Sequence, residues 1–273
     1  MTEIFLDRMT WPEVKERLSE SDIAIVVVGC TEQHGPHLPL GTDSFEVWEI
    51  TVRAARKVAD EVKPVIAPLI PYGPNIGFGS WAQPFKCQQP GTIHVRASVM
   101  KNLIKDVCRS LIYHGFRKIL VMDGCGWHYV ATDVAVKEVA EESKEKVLLM
   151  CIRWHGEFGE DVCEKVTDSH EISHADEAET SIAWACGAEV RIDKMVKPPK
   201  QASKFKTLKP RYPKPSYPRA IIACGGSTKP MWETGVPPGS DPTKASKEKG
   251  ERIVEEISNR LADLLKELKD RHL

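Results

Sequence analysis

Glu32, His34, His37 and Asp43 fall within one short loop, interleaved with Gly35, Pro36, Pro39 and Gly41. Carboxylates and imidazoles gathered this closely are costly to take out of water unless something binds them. A divalent cation is the simplest occupant, and a polar loop with structural histidines is the competing reading. Side chains of an extended segment alternate with period two, so Glu32 and His34 project to one side. Asp43 follows after a turn and can swing back to the same point. His37 either caps that turn or touches metal or substrate. Two more polar clusters lie further on. One is Asp123-Gly124-Cys125-Gly126-Trp127-His128. The other runs from Ser173 to Ser181 and holds His174, Glu177 and Glu179. His174 suits a proton shuttle, because an imidazole gives and recovers a proton near neutrality. On a regular helix Glu177 and Glu179 point about 200° apart, so both cannot face one ion. Glu177 is a candidate metal or substrate contact, with a surface salt bridge as the favoured reading for that residue.

These clusters need a frame, and the chain supplies one. Ile23 to Val28 is apolar, β-branched and followed by Gly29, which predicts a buried strand. A helix opens at Thr10-Trp11-Pro12 and runs to about Ser19. The period then predicts a helix over 44–62, stopped by Pro64, and a strand over 65–70. Residues 71–92 are rich in Gly and Pro and read as a functional loop. A helix over 95–114 ends at Gly115. A strand over 118–122, a helix over 130–143 and a strand over 147–152 follow. The 173–181 cluster opens a helix to about Cys186, residues 197–220 form a Pro- and Lys-rich loop, and a long amphipathic helix covers 244–268. This alternation predicts an α/β fold over residues 1–273, a single domain with a mostly parallel sheet flanked by helices. In such sheets the ligand crevice lies outside the carboxyl ends of the strands. The loops at 30–43, 123–128 and 153–179 should therefore converge.

Ser80, Trp81, Trp127 and Trp154 are candidates to wall a small substrate pocket, although large aromatics are commonly ordinary core. The lysines and arginine at 204, 206, 209 and 211 could draw an anion or simply be solvated. The formal net charge of −1 argues against a dedicated nucleic-acid or membrane-surface binder. The N-terminus is polar and no segment is long and apolar enough to span a bilayer, so a cytoplasmic protein is expected. The eight cysteines show no regular framework, and most should be reduced and buried.

The stretch Gly29-Cys30-Thr31-Glu32-Gln33-His34-Gly35-Pro36-His37-Leu38-Pro39-Leu40-Gly41-Thr42-Asp43 resembles the signature of the creatininase (creatinine amidohydrolase) family. Pro90-Gly91-Thr92-Ile93 resembles its PGT loop, and Asp123-Gly124-x-Gly126 its NGHGGN turn. His174-Ala175-Asp176-Glu177-Ala178-Glu179-Thr180-Ser181 resembles its HAGExETS segment. Gly235-Val236, Asp241-Pro242-Thr243-x-Ala245 and Lys249-Gly250 resemble its C-terminal signature. The resemblance implies a creatininase-like three-layer α/β domain, often assembled as a hexamer, that holds two divalent ions. Zinc comes first among these, with manganese or iron as alternatives. It implies that Glu32 binds one ion, His34 the other, and Asp43 both. Glu179 becomes a ligand or proton-handling carboxylate beside His174.

The chain departs from the pattern in the turn after residue 122. Cys125 stands where the family has a histidine ligand, Trp127 where creatininase has an additional metal-binding Glu, and His128 where the family has Asn. Cys125 could ligate as a thiolate, His128 could reach the metal instead, or the second site could be weak, leaving one ion. An inert thiol in a tight, solvent-facing turn is the bland alternative. The implied activity is metal-dependent hydrolysis of a small cyclic substrate by attack of activated water on a carbonyl, with a cyclic amide as the first reading. C–C cleavage of a cyclic diketone, such as a diketo-inositol of the 3-dehydro-scyllo-inosose type, is the alternative. A non-catalytic small-molecule binder with a degenerate metal site is the second. A homo-oligomer with a small-molecule substrate is expected.

Overall fold

Among the described residues four parallel strands form the centre, in the order β2-β1-β3-β4. They are β1 (Ile23–Val28), β2 (Val65–Ile66), β3 (Lys118–Asp123) and β4 (Leu148–Arg153). The computed structural model describes residues 2–75, 90–197, 234–236 and 240–273. Ser80, Trp81 and the basic positions 204–211 lie outside these residues.

The sheet is buried on both sides, and the period of β1 shows how. Ile23, Ile25 and Val27 enter one apolar cluster, and Ala24, Val26 and Val28 enter another. The first cluster is closed by α2 (Thr42–Lys57), α5 (Glu160–Val166), α6 (Glu177–Ala185) and α7 (Lys247–Asp270). The second is closed by α1 (Trp11–Leu18), α3 (Ala97–His114) and α4 (Tyr129–Glu142). The result is a three-layer α/β domain. A continuous apolar run such as β1 is what a parallel strand covered on both faces requires. Each fully buried Ile or Val contributes about 1.5–3 kcal/mol.

Several boundaries depart from the sequence reading for identifiable reasons. β2 is two residues long rather than 65–70. Pro68 has no N–H to donate, so pairing breaks there and resumes where the Ile70 N–H bonds the Val27 carbonyl at 2.9 Å. Helix α2 begins at Thr42, two residues earlier than expected, which places Asp43 in its first turn. It ends at Lys57, and the chain reaches Pro64 through Lys63, whose φ of 56° is left-handed. Helix α7 begins three residues later than expected, where the Ser246 hydroxyl accepts the Lys249 N–H. The π-helical turn Trp154–Phe158 and α5 escaped the sequence reading, being short and without clear period. Gly250 lets α7 lie directly on α6. A Cβ at that position would fall 1.8 Å from the Ser181 carbonyl oxygen.

Of the cysteines among the described residues, Cys30, Cys108, Cys125 and Cys163 are buried, Cys151 and Cys186 half-buried, and all are free thiols. No helix among the described residues is long and apolar enough to cross a membrane.

Candidate metal centre

The carboxyl ends of β1 and β3 and the start of α6 meet at one point. β1 and β3 pair in register from Ile23 with Lys118 to Val28 with Asp123, so the loops after them leave the sheet side by side. The β1 loop is folded back by the Glu32 N–H, which bonds the Leu40 carbonyl at 2.8 Å. That return carries Asp43, in the first turn of α2, to the side chain of His34.

Asp43 is the hub. Its Oδ1 lies 2.9 Å from His34 Nε2 and its Oδ2 accepts the Cys30 thiol at 2.8 Å. His34 Nε2 also lies 3.6 Å from Glu179 Oε1. The second oxygen of Glu179 accepts the Ala175 N–H, which fixes the carboxylate from behind. His34 Nδ1 faces the Glu32 carbonyl at 3.0 Å, which holds the ring in place. Two donor sets result, each with its atoms within 4.8 Å of one another: Cys30, Glu32, Asp43 and Cys125, and His34, Asp43 and Glu179. Asp43 belongs to both. Glu32, His34 and His174 form a third such group, and Cys30, Cys125 and His128 a fourth.

The electrostatics are those of a site short of positive charge. Glu32 is 1% exposed, and thiols at 3.7 Å (Cys125) and 3.8 Å (Cys30) flank its Oε2. Burial, with Cys125 and Asp43 adding their charge, pushes its carboxyl well above the usual range. Burial would raise Asp43 too, but the charge and hydrogen bond of His34 hold it below. Burial would lower His34, and Glu179 and Asp43 more than offset this. His174 stacks on His34 with ring centroids 4.2 Å apart, and its Nε2 is 3.2 Å from Gln33 Nε2. Burial and the His34 charge hold it well below its usual value. A dication among these donors would supply the charge that buried Glu32 and Asp43 lack. The sets combine carboxylate oxygen, imidazole nitrogen and sulfur, the donors that zinc and its neighbours use. The residues therefore fit a metal ion.

Not every expected residue joins. His37 stays outside the donor groups. Its Nε2 bonds the Thr180 hydroxyl at 3.0 Å, and burial and the His34 charge push its pKa down to about 4. Glu177 turns away from the site, as helical geometry requires. It is buried rather than on the surface, and it pairs with Lys249 at 2.6 Å while accepting the N–H groups of Asp168 and Ser169. Trp154 is 1% exposed and packs in the core beneath α7 instead of walling a pocket. Trp127 is half-buried beside the centre. Cys125 is 2% exposed, which removes the solvent-facing version of its turn. His128 is fully buried, with Nδ1 3.2 Å from Asp123 Oδ1.

Two residues at or beside the centre were not singled out from the sequence. Cys30 sits directly behind a buried strand and reads as core. Glu46 lies one turn after Asp43 on α2, so it shares that face of the helix. It is fully buried, and neither carboxylate oxygen has a hydrogen-bond partner among the described residues. Burial and the charges of Glu179 and Asp43 push it well above the usual carboxylate range. The three-residue step from Asp43 was the available signal.

Comparison with known proteins gives the same frame. The family model for creatininase, described as creatinine amidohydrolase, matches residues 7–265. A 3-dehydro-scyllo-inosose hydrolase of Thermotoga maritima is 28% identical over 188 residues, 67% of this chain and 56% of that protein. The alignment thus spans little more than half of that relative's length. A mycofactocin precursor peptide peptidase of Mycobacterium ulcerans is 27% identical, over 91% of this chain and 82% of that one. A solved chain from Bacteroides fragilis superposes with a TM-score of 0.78 at 25% identity, covering 100% of this chain and 99% of that one. A manganese form of creatininase superposes with a TM-score of 0.72 at 22% identity, covering 99% and 100%.

Proposed function

The chain is a member of the creatininase family, and from that premise we propose that it is a divalent-metal-dependent hydrolase that opens a small cyclic substrate at a carbonyl. The observation that carries this reading is the position of Asp43, whose two oxygens face different donor sets. A carboxylate in that position could serve two cations. In this reading Glu32, Asp43 and Cys125 would hold one ion, and His34, Asp43 and Glu179 the other.

Divalent cations there supply Lewis acidity toward a carbonyl oxygen and make water a nucleophile at neutral pH. The chain's own groups do the rest. The Glu32 carbonyl orients His34, and the Ala175 N–H orients Glu179, so the donors are set before substrate arrives. His174, its ring tilted against that of His34, takes a proton from water and returns it to the leaving atom. Gln33, bonded to the ring at 3.2 Å, keeps it aimed. A leaving nitrogen gives cyclic amide hydrolysis. A leaving carbon gives cleavage of a cyclic β-diketone, because the adjacent carbonyl stabilises the carbanion as an enolate. The Thermotoga relative, named for an inosose, favours this second substrate class as the alternative.

The test is a screen of lactams and cyclic diketones against protein loaded separately with zinc, manganese and iron. Turnover that a chelator abolishes and metal restores is expected. Protein that retains under about 0.2 metal per chain after dialysis, and turns over nothing, would instead be a binder with a degenerate site.

A further inference from the structure

We propose that Cys30 is itself a metal ligand, and that Cys30 and Cys125 together bind a borderline-soft divalent cation as a thiolate pair. This rests on the hydrolase reading for the presence of a cation and goes beyond it in naming the donors. Cys30 follows β1 and Cys125 follows β3, and the register of those strands brings the two loops together. Cys30 Sγ lies 2.8 Å from Asp43 Oδ2, and both thiols approach Glu32 Oε2, at 3.8 and 3.7 Å. His128 brings a third donor within 4.8 Å of both sulfurs. Neither thiol reaches solvent, at 0% and 2% exposure, so neither is placed to act as an exposed nucleophile.

As neutral thiols these groups are weak donors to two buried carboxylates. As bare thiolates they would add two negative charges beside Glu32 and Asp43, more than the His34 and His128 imidazoles nearby can balance. A dication removes the conflict. Each S–H bond breaks and its proton passes to the solvent buffer, while each sulfur forms a bond to the cation with the electron pair it keeps. No oxidation state changes. Sulfur donors favour zinc, iron or cobalt over manganese or magnesium. The set of His34, Asp43 and Glu179 contains only nitrogen and oxygen and has no such preference. The two positions that share Asp43 are therefore unequal, and the thiolate position retains zinc in the presence of excess manganese.

X-ray absorption at the zinc edge tests this on the full unmodified chain, loaded with one equivalent of zinc while the bound metal is counted by mass spectrometry. Two sulfur neighbours at about 2.3 Å are expected. One sulfur would overturn the pair. Bound zinc with no sulfur neighbour would overturn it and remove Cys125 from the ligand set of the hydrolase reading, while leaving metal-dependent hydrolysis standing; failure to retain any zinc would overturn both. The Cys30→Ser variant should show one sulfur and hold zinc on the order of 10–100-fold less tightly; an unchanged count of two would also overturn the pair. Should that variant fail to fold, the count on the unmodified chain decides.

Discussion

Two carboxylates on α6, Glu177 buried and Glu179 half-buried, stand two residues apart and have opposite roles. Glu177 has every need met: the Lys249 ammonium at 2.6 Å and two backbone N–H groups at 3.0 and 2.8 Å. Burial alone would raise its pKa, but these partners hold it below the usual value. Glu179 faces His34 and, beyond it, Asp43, in a place where carboxylates outnumber fixed cations. The contrast distinguishes a structural charge from a functional one. Removal from bulk water, complete for Glu177 and partial for Glu179, does not separate the two. Complete local partnership marks the anchor, and incomplete partnership among several acids marks the site.

The largest effect that would break this contrast lies at its hub. Asp43→Asn should lower metal retention and reduce turnover by about 10³-fold or more, with the thermal transition of the metal-free protein little changed. Retained turnover would remove the shared role of Asp43. The opposite outcome is expected at the anchor. Glu177→Gln takes from half-buried Lys249 its nearer counter-charge, leaving Asp168 at 3.3 Å, and should destabilise the fold by about 1–2 kcal/mol, read by denaturant titration. Metal content and turnover per folded molecule should stay as they were. A loss of metal in that variant would show that the two carboxylates are not separable.

The smallest effect sharpens the comparison from outside both regions. Glu138 on α4 bonds Lys101 and Lys105 of α3, and those contacts hold its pKa down at about 2, against an ordinary 4.5. A carboxylate depressed in the folded state stabilises above its unfolded pKa, and that contribution disappears as pH falls through the folded one. The melting temperature of the native protein should therefore exceed that of Glu138→Gln modestly near neutrality. The gap should close between about pH 4.5 and pH 2. A gap that does not change with pH would show that the ion pairs contribute nothing.

Much of the frame was legible because its signals are local. Ile23 to Val28 can be little other than a strand, and Gly115, with φ of 116°, ends α3 where a glycine should. Glu32 and His34 were legible through the two-residue period and Asp43 through its place beyond the turn. The 3.6-residue period likewise separated Glu177 from Glu179. What stayed hidden depends on contacts between distant segments. Nothing near Lys249 says that its ammonium reaches Glu177, 72 residues earlier. Nothing near Cys30 says that Cys125 lies across from it, because strand order and register decide that. Trp154 was misplaced for a related reason: the end of a strand carries both site residues and the plugs of the core beneath them.

The absence of a side chain at Gly250 has a bearing on the centre itself. With α7 seated against the Ser181 carbonyl, the last long helix of the chain fixes the height of the turn that presents Glu179. Even a methyl group at that position would wedge the two helices apart and tilt the carboxylate away from His34. The spacing around a cation at the strand ends is thus gauged in part by a residue some 70 positions downstream that touches none of the donors.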